Sequence, residues 1–277
     1  MKKLLICILL VSSVVLYAQQ NDGTAFIASY NAKRLGNGTK NYPVMAKLLS
    51  KCDIVGIIEV MNQTGIDDLI HALMQETNEP WMALVSDRSA GSVRYREYFA
   101  YVYKKNRISL VRKFGFYKEI KESDFAREPY GAEFQVDKYK FTFVLCHIIW
   151  GTDEKRRDAE IKLLPKVYTY FQNINGSENN VYIAGDFNME PIKPCWGFVT
   201  NSVDGIHETI KQLQKTTVGA NNLVSSYDNI LLSKYSDATL ILAGVLNIPG
   251  TMDKATYRDT VSDHLPVYII IRTELSY

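Results

Sequence analysis

Seven short runs rich in Val, Ile, Phe and Tyr punctuate the chain: 24–30 (TAFIASY), 53–58 (DIVGII), 98–103 (YFAYVY), 140–147 (KFTFVLCH), 180–185 (NVYIAG), 226–232 (SYDNILL) and 264–271 (HLPVYIII). β-branched and aromatic residues in runs of this length predict strands. Helical periodicity lies between some of them. The clearest case is 64–76, opened by Thr64 with Asp67 as a capping pair and carrying Ile66, Leu69, Ile70 and Leu73 on one side. A second pattern, 153–171, repeats this with Ile161, Leu164, Tyr168 and Phe171 and is expected to kink near Pro165. Pro43 starts a third helix over 43–51. Several consecutive strands between 98 and 147, mixed with these helices, predict packed sheets flanked by helices rather than a doubly wound parallel fold. No linker, low-complexity tract or repeat divides the chain, so residues 19–277 read as one domain.

The polar residues at the ends of the runs carry the chemistry. Asn31 follows the first run, Glu59 the second, His147 ends the fourth, and Asp186 with Asn188 follows the fifth; Asp228 and the pair Asp263–His264 sit where the last two begin. In sheets with antiparallel neighbours the start of one strand lies beside the end of the next, so all six clusters can converge on one rim. A lone Asn or Asp after a strand is usually a turn former, but six such coincidences ask for more than turns. Acids, amides and two histidines without cysteine suit a hard cation such as Mg2+ or Ca2+ and a phosphate ester. His71, on the polar side of a helix, and His207, in a loop-like segment, read as surface residues.

The chain has 277 residues, of which 47% are hydrophobic, enough for a substantial core. Its start, MKKLLICILLVSSVVLYAQQ, has two lysines, an apolar stretch shorter than a bilayer span, and a small residue at Ala18; residues 1–18 read as an export signal rather than an anchor, placing the mature protein in the periplasm or outside the cell. Without that segment, which carries Lys2 and Lys3 and no acid, the chain is neutral, so attraction to a polyanion has to come from local patches. Cys52, Cys146 and Cys195 remain; the first two sit in apolar surroundings and read as core residues, and four histidines without HExxH or CxxC argue against a nitrogen–sulfur zinc site.

Together, GDFNMEP (185–191), SDHLPV (262–267), the Asn of SYNAKRLG (29–36), IIEV (57–60) and SYDNILL resemble the endonuclease/exonuclease/phosphatase superfamily across residues 24 to 272. FAREPYGAEF (125–134) and the acid of YREYFAYVYKKNRISL (95–110) resemble its deoxyribonuclease I-like branch. The resemblance implies an α/β (α+β) four-layer sandwich of two packed mixed sheets with helices outside. It implies Glu59 as the main metal-ligating carboxylate with Asn31 and Asp263 close by, and Mg2+ as the ion, with Ca2+ or Mn2+ as alternatives. Asp186 shares the ion or its water. Asp228 would orient His264 and Glu97 would orient His147, giving a base (His264) and an acid (His147); in a competing scheme Asp186 activates the water. Asn188 would donate to a phosphate oxygen, where a second carboxylate would repel the substrate.

Arg127, in the FAREP match, is the expected phosphate clamp, and Arg34, Arg88, Arg94 and Arg96 with Tyr95 interleaved read either as a track for a nucleic-acid backbone or as a solvated basic face. Lys155, Arg156 and Arg157 oppose a helix dipole unless a phosphate lies nearby. Trp150 either stacks on a base or sugar or covers the rim, the latter being the plainer reading. The disulfide cysteines of the vertebrate pattern are not matched. The expected activity is metal-dependent, sequence-nonspecific cleavage of nucleic acid, DNA before RNA. Alternatives are a phosphodiesterase or phosphatase on a phospholipid head group or small phosphate ester and, from another class, a binding module without turnover.

Overall fold

A computed structural model describes residues 23–93, 95–119, 124–176 and 178–273; the segment read as an export signal and Arg94 lie outside the described residues. In chain order the elements begin β1 (Thr24–Leu35), α1 (Tyr42–Leu49), β2 (Ile54–Val60), α2 (Gln63–Thr77), β3 (Trp81–Val85), β4 (Ala90–Ser92) and β5 (Tyr95–Lys104). There follow β6 (Ile108–Phe116), β7 (Tyr130–Val136), β8 (Tyr139–His147), α3 (Glu154–Lys162), α4 (Leu164–Ile174) and β9 (Val181–Asp186). The last are α5 (Trp196–Thr200), β10 (Ile206–Glu208), β11 (Asp228–Ser233), β12 (Thr239–Val245), α6 (Lys254–Thr260) and β13 (Val267–Arg272).

One sheet runs β12-β13-β1-β2-β5-β3, with β4 paired to β5; the other runs β10-β11-β9-β8-β7-β6. β1 with β2 and β8 with β9 are parallel, while β11 and β13 run antiparallel to β9 and β1. Between the sheets, Ile27, Ile54, Tyr101, Phe134, Phe143, Tyr182, Ile230 and Ile269 form one buried cluster. Alternate residues of the same strands face outward: Phe26, Ala28 and Tyr30 of β1 pack with residues of α1, α2 and α6, and Val144, Val181 and Ile183 pack with residues of α3, α4 and α5. The order helix, sheet, sheet, helix is therefore the four-layer sandwich. Strands covered on both faces need apolar side chains at every position, which is why the central runs are continuous rather than alternating.

Local signals differ from the sequence reading in three places. Asn62, not Thr64, caps α2: its backbone is extended and its side chain accepts from Gly65 N. The 153–171 pattern is two helices broken at Leu163, with Pro165 in the first turn of α4, where its missing N–H costs nothing. His207 lies in β10 and is half-buried, whereas His71 is exposed as expected. Cys52, Cys146 and Cys195, the three cysteines among the described residues, are free and buried.

Candidate active site

The topology brings the ends of β1, β2, β8 and β9 to one rim, with the beginnings of β11 and β5 beside them. Asp186 is in register with His147 on one side and Asp228 on the other, and Val60 of β2 pairs with Tyr98, next to Glu97. A cleft of about 730 Å³ opens on this rim, and Glu59, Glu97, Arg127, His147, Asp186, Asn188, Asp263 and His264 all line it.

Asp186 Oδ2 is the point of convergence. Asn31 Nδ2 donates to it at 3.2 Å, and His264 Nε2 and His147 Nε2 approach it at 3.5 and 3.7 Å. Behind each imidazole stands a carboxylate: Asp228 Oδ2 lies 2.7 Å from His264 Nδ1, and the Glu97 oxygens lie 2.8 and 3.0 Å from His147 Nδ1. Each acid fixes the ring's orientation and leaves Nε2 aimed into the cleft. Asp186 Oδ1 is occupied by Asn188 N at 2.9 Å, and Asn188 takes a left-handed φ of 48° while its Nδ2 donates to Ile148 O. The Asp-x-Asn spacing therefore builds a turn and a site at once, because an aspartate bonds the backbone two residues on and asparagine tolerates positive φ. The preceding Gly185, at φ 149°, lets the Cys146 carbonyl of β8 approach where any Cβ would sit.

Glu59 has a positive φ of 60°, an uncommon backbone state for a residue with a side chain. Its carboxylate accepts from Asn31 Nδ2 at 3.0 Å and from Arg34 N at 3.1 Å. Asn31 thus turns its NH2 toward Glu59 and Asp186 and its carbonyl oxygen toward Lys33 N. Arg127 is buried; it donates to His147 O and Ile148 O and stands 3.9 Å from Glu97.

Burial would discharge His264, but Asp228 and Asp186 outweigh it and pull its pKa up to about 10. Burial and Arg127 push against the His147 proton, and Glu97 with Asp186 more than offsets them, so its pKa is also raised. Burial resists ionisation of Glu97, yet the partnership with His147 and Arg127 brings it below the ordinary range. The Asp186 carboxyl is raised by burial and by the nearby Asp228. Asp186, Asp228 and His264 offer ligand atoms all within 4.8 Å of one another, and Glu59 and Asp263 add oxygens on the same cleft, with buried Asn31 hydrogen-bonded to Glu59. Oxygen-dominated donors of this kind fit a hard divalent cation.

Of the basic residues, Arg34, Arg96 and Arg127 line the cleft together with Tyr95, as do Lys33 and Arg258, which sequence reasoning missed. Arg88 instead pairs with Glu128 and stacks over Phe116. Lys155, Arg156 and Arg157 are outside the cleft lining; Asp153 caps their helix by accepting from Arg156 N, and Arg157 donates to Gly151 O. Two supporting hydroxyls also went unread. Ser262 Oγ donates to Asn31 O and accepts from His264 N, and Thr216 Oγ1 accepts from Tyr227 N and Asp228 N. The serine directly before Asp263–His264 was a usable signal; Thr216 carried none.

No family model matches the chain. It is 31% identical over 260 residues to a deoxyribonuclease of Thioalkalivibrio sp. (strain K90mix), covering 88% of this chain and 70% of that protein. It is 23% identical over 274 residues to deoxyribonuclease gamma of Rattus norvegicus, covering 91% and 86%. Among solved structures, an endonuclease/exonuclease/phosphatase family protein from Bacteroides thetaiotaomicron superposes with a TM-score of 0.70 at 19% identity, covering 92% of this chain and all of that one, which shows the shared fold. The chain belongs to the deoxyribonuclease I-like branch of the endonuclease/exonuclease/phosphatase superfamily.

Proposed function

We propose that this protein is an exported endonuclease that hydrolyses DNA phosphodiesters without sequence preference, using a divalent cation, Mg2+ in the first instance. The observation that carries the reading is the pair of carboxylate–histidine couples aimed from two sides at Asp186 Oδ2. Relatives named deoxyribonuclease point the same way. Glu59 and Asp263 are the oxygens that would hold the ion, and Asn31, whose NH2 faces Glu59 and Asp186, would join them through Oδ1 only after its amide turns over; when bound, the ion supplies positive charge to a phosphate oxygen. His264, charged at neutral pH with its pKa pulled up to about 10, acts as the base only from its deprotonated form, taking the proton of the attacking water while His147 returns one to the leaving oxygen, each transfer being worth roughly 10²- to 10⁴-fold. Asp186, within 4 Å of both rings, offers a second route in which it accepts the water's proton while the charged imidazoles face the phosphorane. Asn188 keeps one amide hydrogen beyond its bond to Ile148 O, and Arg127 keeps N–H groups beyond its two backbone bonds, for the phosphate.

The test is nicking of supercoiled plasmid by the protein without residues 1–18, in Mg2+ and in EDTA, beside release of head group from phospholipid vesicles. Nicking in Mg2+ alone supports the proposal. Vesicle hydrolysis without nicking would transfer the site to a lipid phosphodiesterase. Export is tested separately by finding a chain that starts after residue 18 outside the inner membrane.

A further inference from the structure

Trp150 stands apart from the other tryptophans: it is 78% exposed, whereas Trp81 and Trp196 are 3% exposed. It lines the catalytic cleft three residues beyond His147. No hydrogen bond or ring contact holds its indole among the described residues, yet the backbone that carries it is pinned at almost every step. Arg127 donates to His147 O and Ile148 O, and Asn188 donates to Ile148 O. Ile148 N donates to Asp186 O, Ile149 N donates to Glu160, and Arg157 donates to Gly151 O. Covering the rim would need an indole laid against protein atoms. A fixed backbone with a bare ring is instead a preorganised platform, whose backbone ordering is complete before a ligand arrives.

From this geometry, and resting on the proposed nuclease function, we infer that Trp150 stacks on an unpaired nucleobase next to the scissile phosphate and makes the enzyme favour single-stranded DNA. Every base offers a π-face, so the contact is indifferent to sequence. In a duplex both faces of an internal base are covered by its neighbours, and only an unpaired or displaced base can present one. Trp150 acts on specificity and not on the proton transfers, since it makes no contact with either histidine couple.

Two measurements on the protein without residues 1–18 decide the matter. The first is tryptophan fluorescence in EDTA, where nothing is cut, titrated with a thymidine oligonucleotide, a hairpin duplex and an abasic oligonucleotide of the same length. Quenching by the thymidine strand, little by the other two, and its loss in Trp150→Phe are expected. The second is kinetic: in Mg2+, Trp150→Ala should lower kcat/KM on single strands by roughly 5- to 150-fold, mostly through KM, the range set by base–aromatic stacking of about 1–3 kcal/mol. Trp150→Phe should recover most of that loss, and cleavage of the abasic strand should be unchanged. Equal quenching by the abasic strand, or an equal kinetic loss on it, would overturn the inference. Wild-type activity without any cation dependence on either strand would count against the proposed function alone, because the fluorescence result does not need turnover.

Discussion

At Asp186 Oδ2, two imidazoles and an amide meet within 4 Å of one carboxylate oxygen. Neither ring could hold its direction without the acid behind it, and Asp228 is the clearer case because Thr216 Oγ1 fixes its backbone while its carboxylate fixes the ring. Replacing Asp228 by Asn should leave the fold intact and lower nicking about 10²- to 10⁴-fold, the scale of one misdirected proton transfer, as read in the plasmid assay beside an unchanged melting curve. Undiminished nicking would remove the orienting role. These residues were legible because each ends or begins an apolar run, an arrangement with no packing purpose of its own. Thr216 was not, since a hydroxyl that serves a backbone group leaves no pattern in its neighbours.

Among elements, the paired ends of β8 and β9 are the least tolerant of change. Gly185 combines a left-handed-side φ with a Cβ position 1.8 Å from Cys146 O, a backbone atom that cannot swing away. Gly185→Ala should cost about 2–4 kcal/mol by chemical denaturation, strain and overpacking together, and a near-neutral result would contradict the register drawn for β8 and β9. Glu160 of α3 ties two loops that precede the helix to the rim by accepting from Ala126 N and Ile149 N, and burial raises its pKa. Since its folded pKa lies above the unfolded value, the folded protein holds a proton that the unfolded chain has already released, so its contribution to stability declines as pH rises from about 4 through the folded pKa. Glu160→Gln lacks this titration and should gain in melting temperature relative to wild type over that rise; a constant difference would refute it. Of the strands that the apolar runs left out, β3, β6, β10 and β12 are the four edges of the two sheets, and the three-residue β4 pairs with the start of β5. An edge strand has one bare side and a half-exposed face, as the mixed burial of β6 and β12 illustrates, so its sequence need not be continuously apolar. β7 was obscured for a different reason: buried Gly131 and Glu133 interrupt its apolar pattern.

For the molecule as a whole, neutrality after residue 18 means that DNA affinity has to come from the cationic lining of the cleft, where Lys33, Arg34, Arg96, Arg127 and Arg258 face Glu59, Glu97, Asp186 and Asp263. Arg34→Ala and Arg96→Ala should each flatten the log–log dependence of DNA binding on salt by about one unit, measured by fluorescence anisotropy, and an unchanged slope would place the backbone track elsewhere. The sandwich brings together residues from position 31 to position 264, and their cooperation is most directly measured by plasmid nicking with Glu59→Gln, His264→Ala and the double variant, each checked for a wild-type melting curve. If they serve one reaction centre, each single change lowers the rate at least about 100-fold and the double falls no more than about tenfold below the worse single. Losses that multiply in full, or single variants that nick like the wild type, would contradict a shared site.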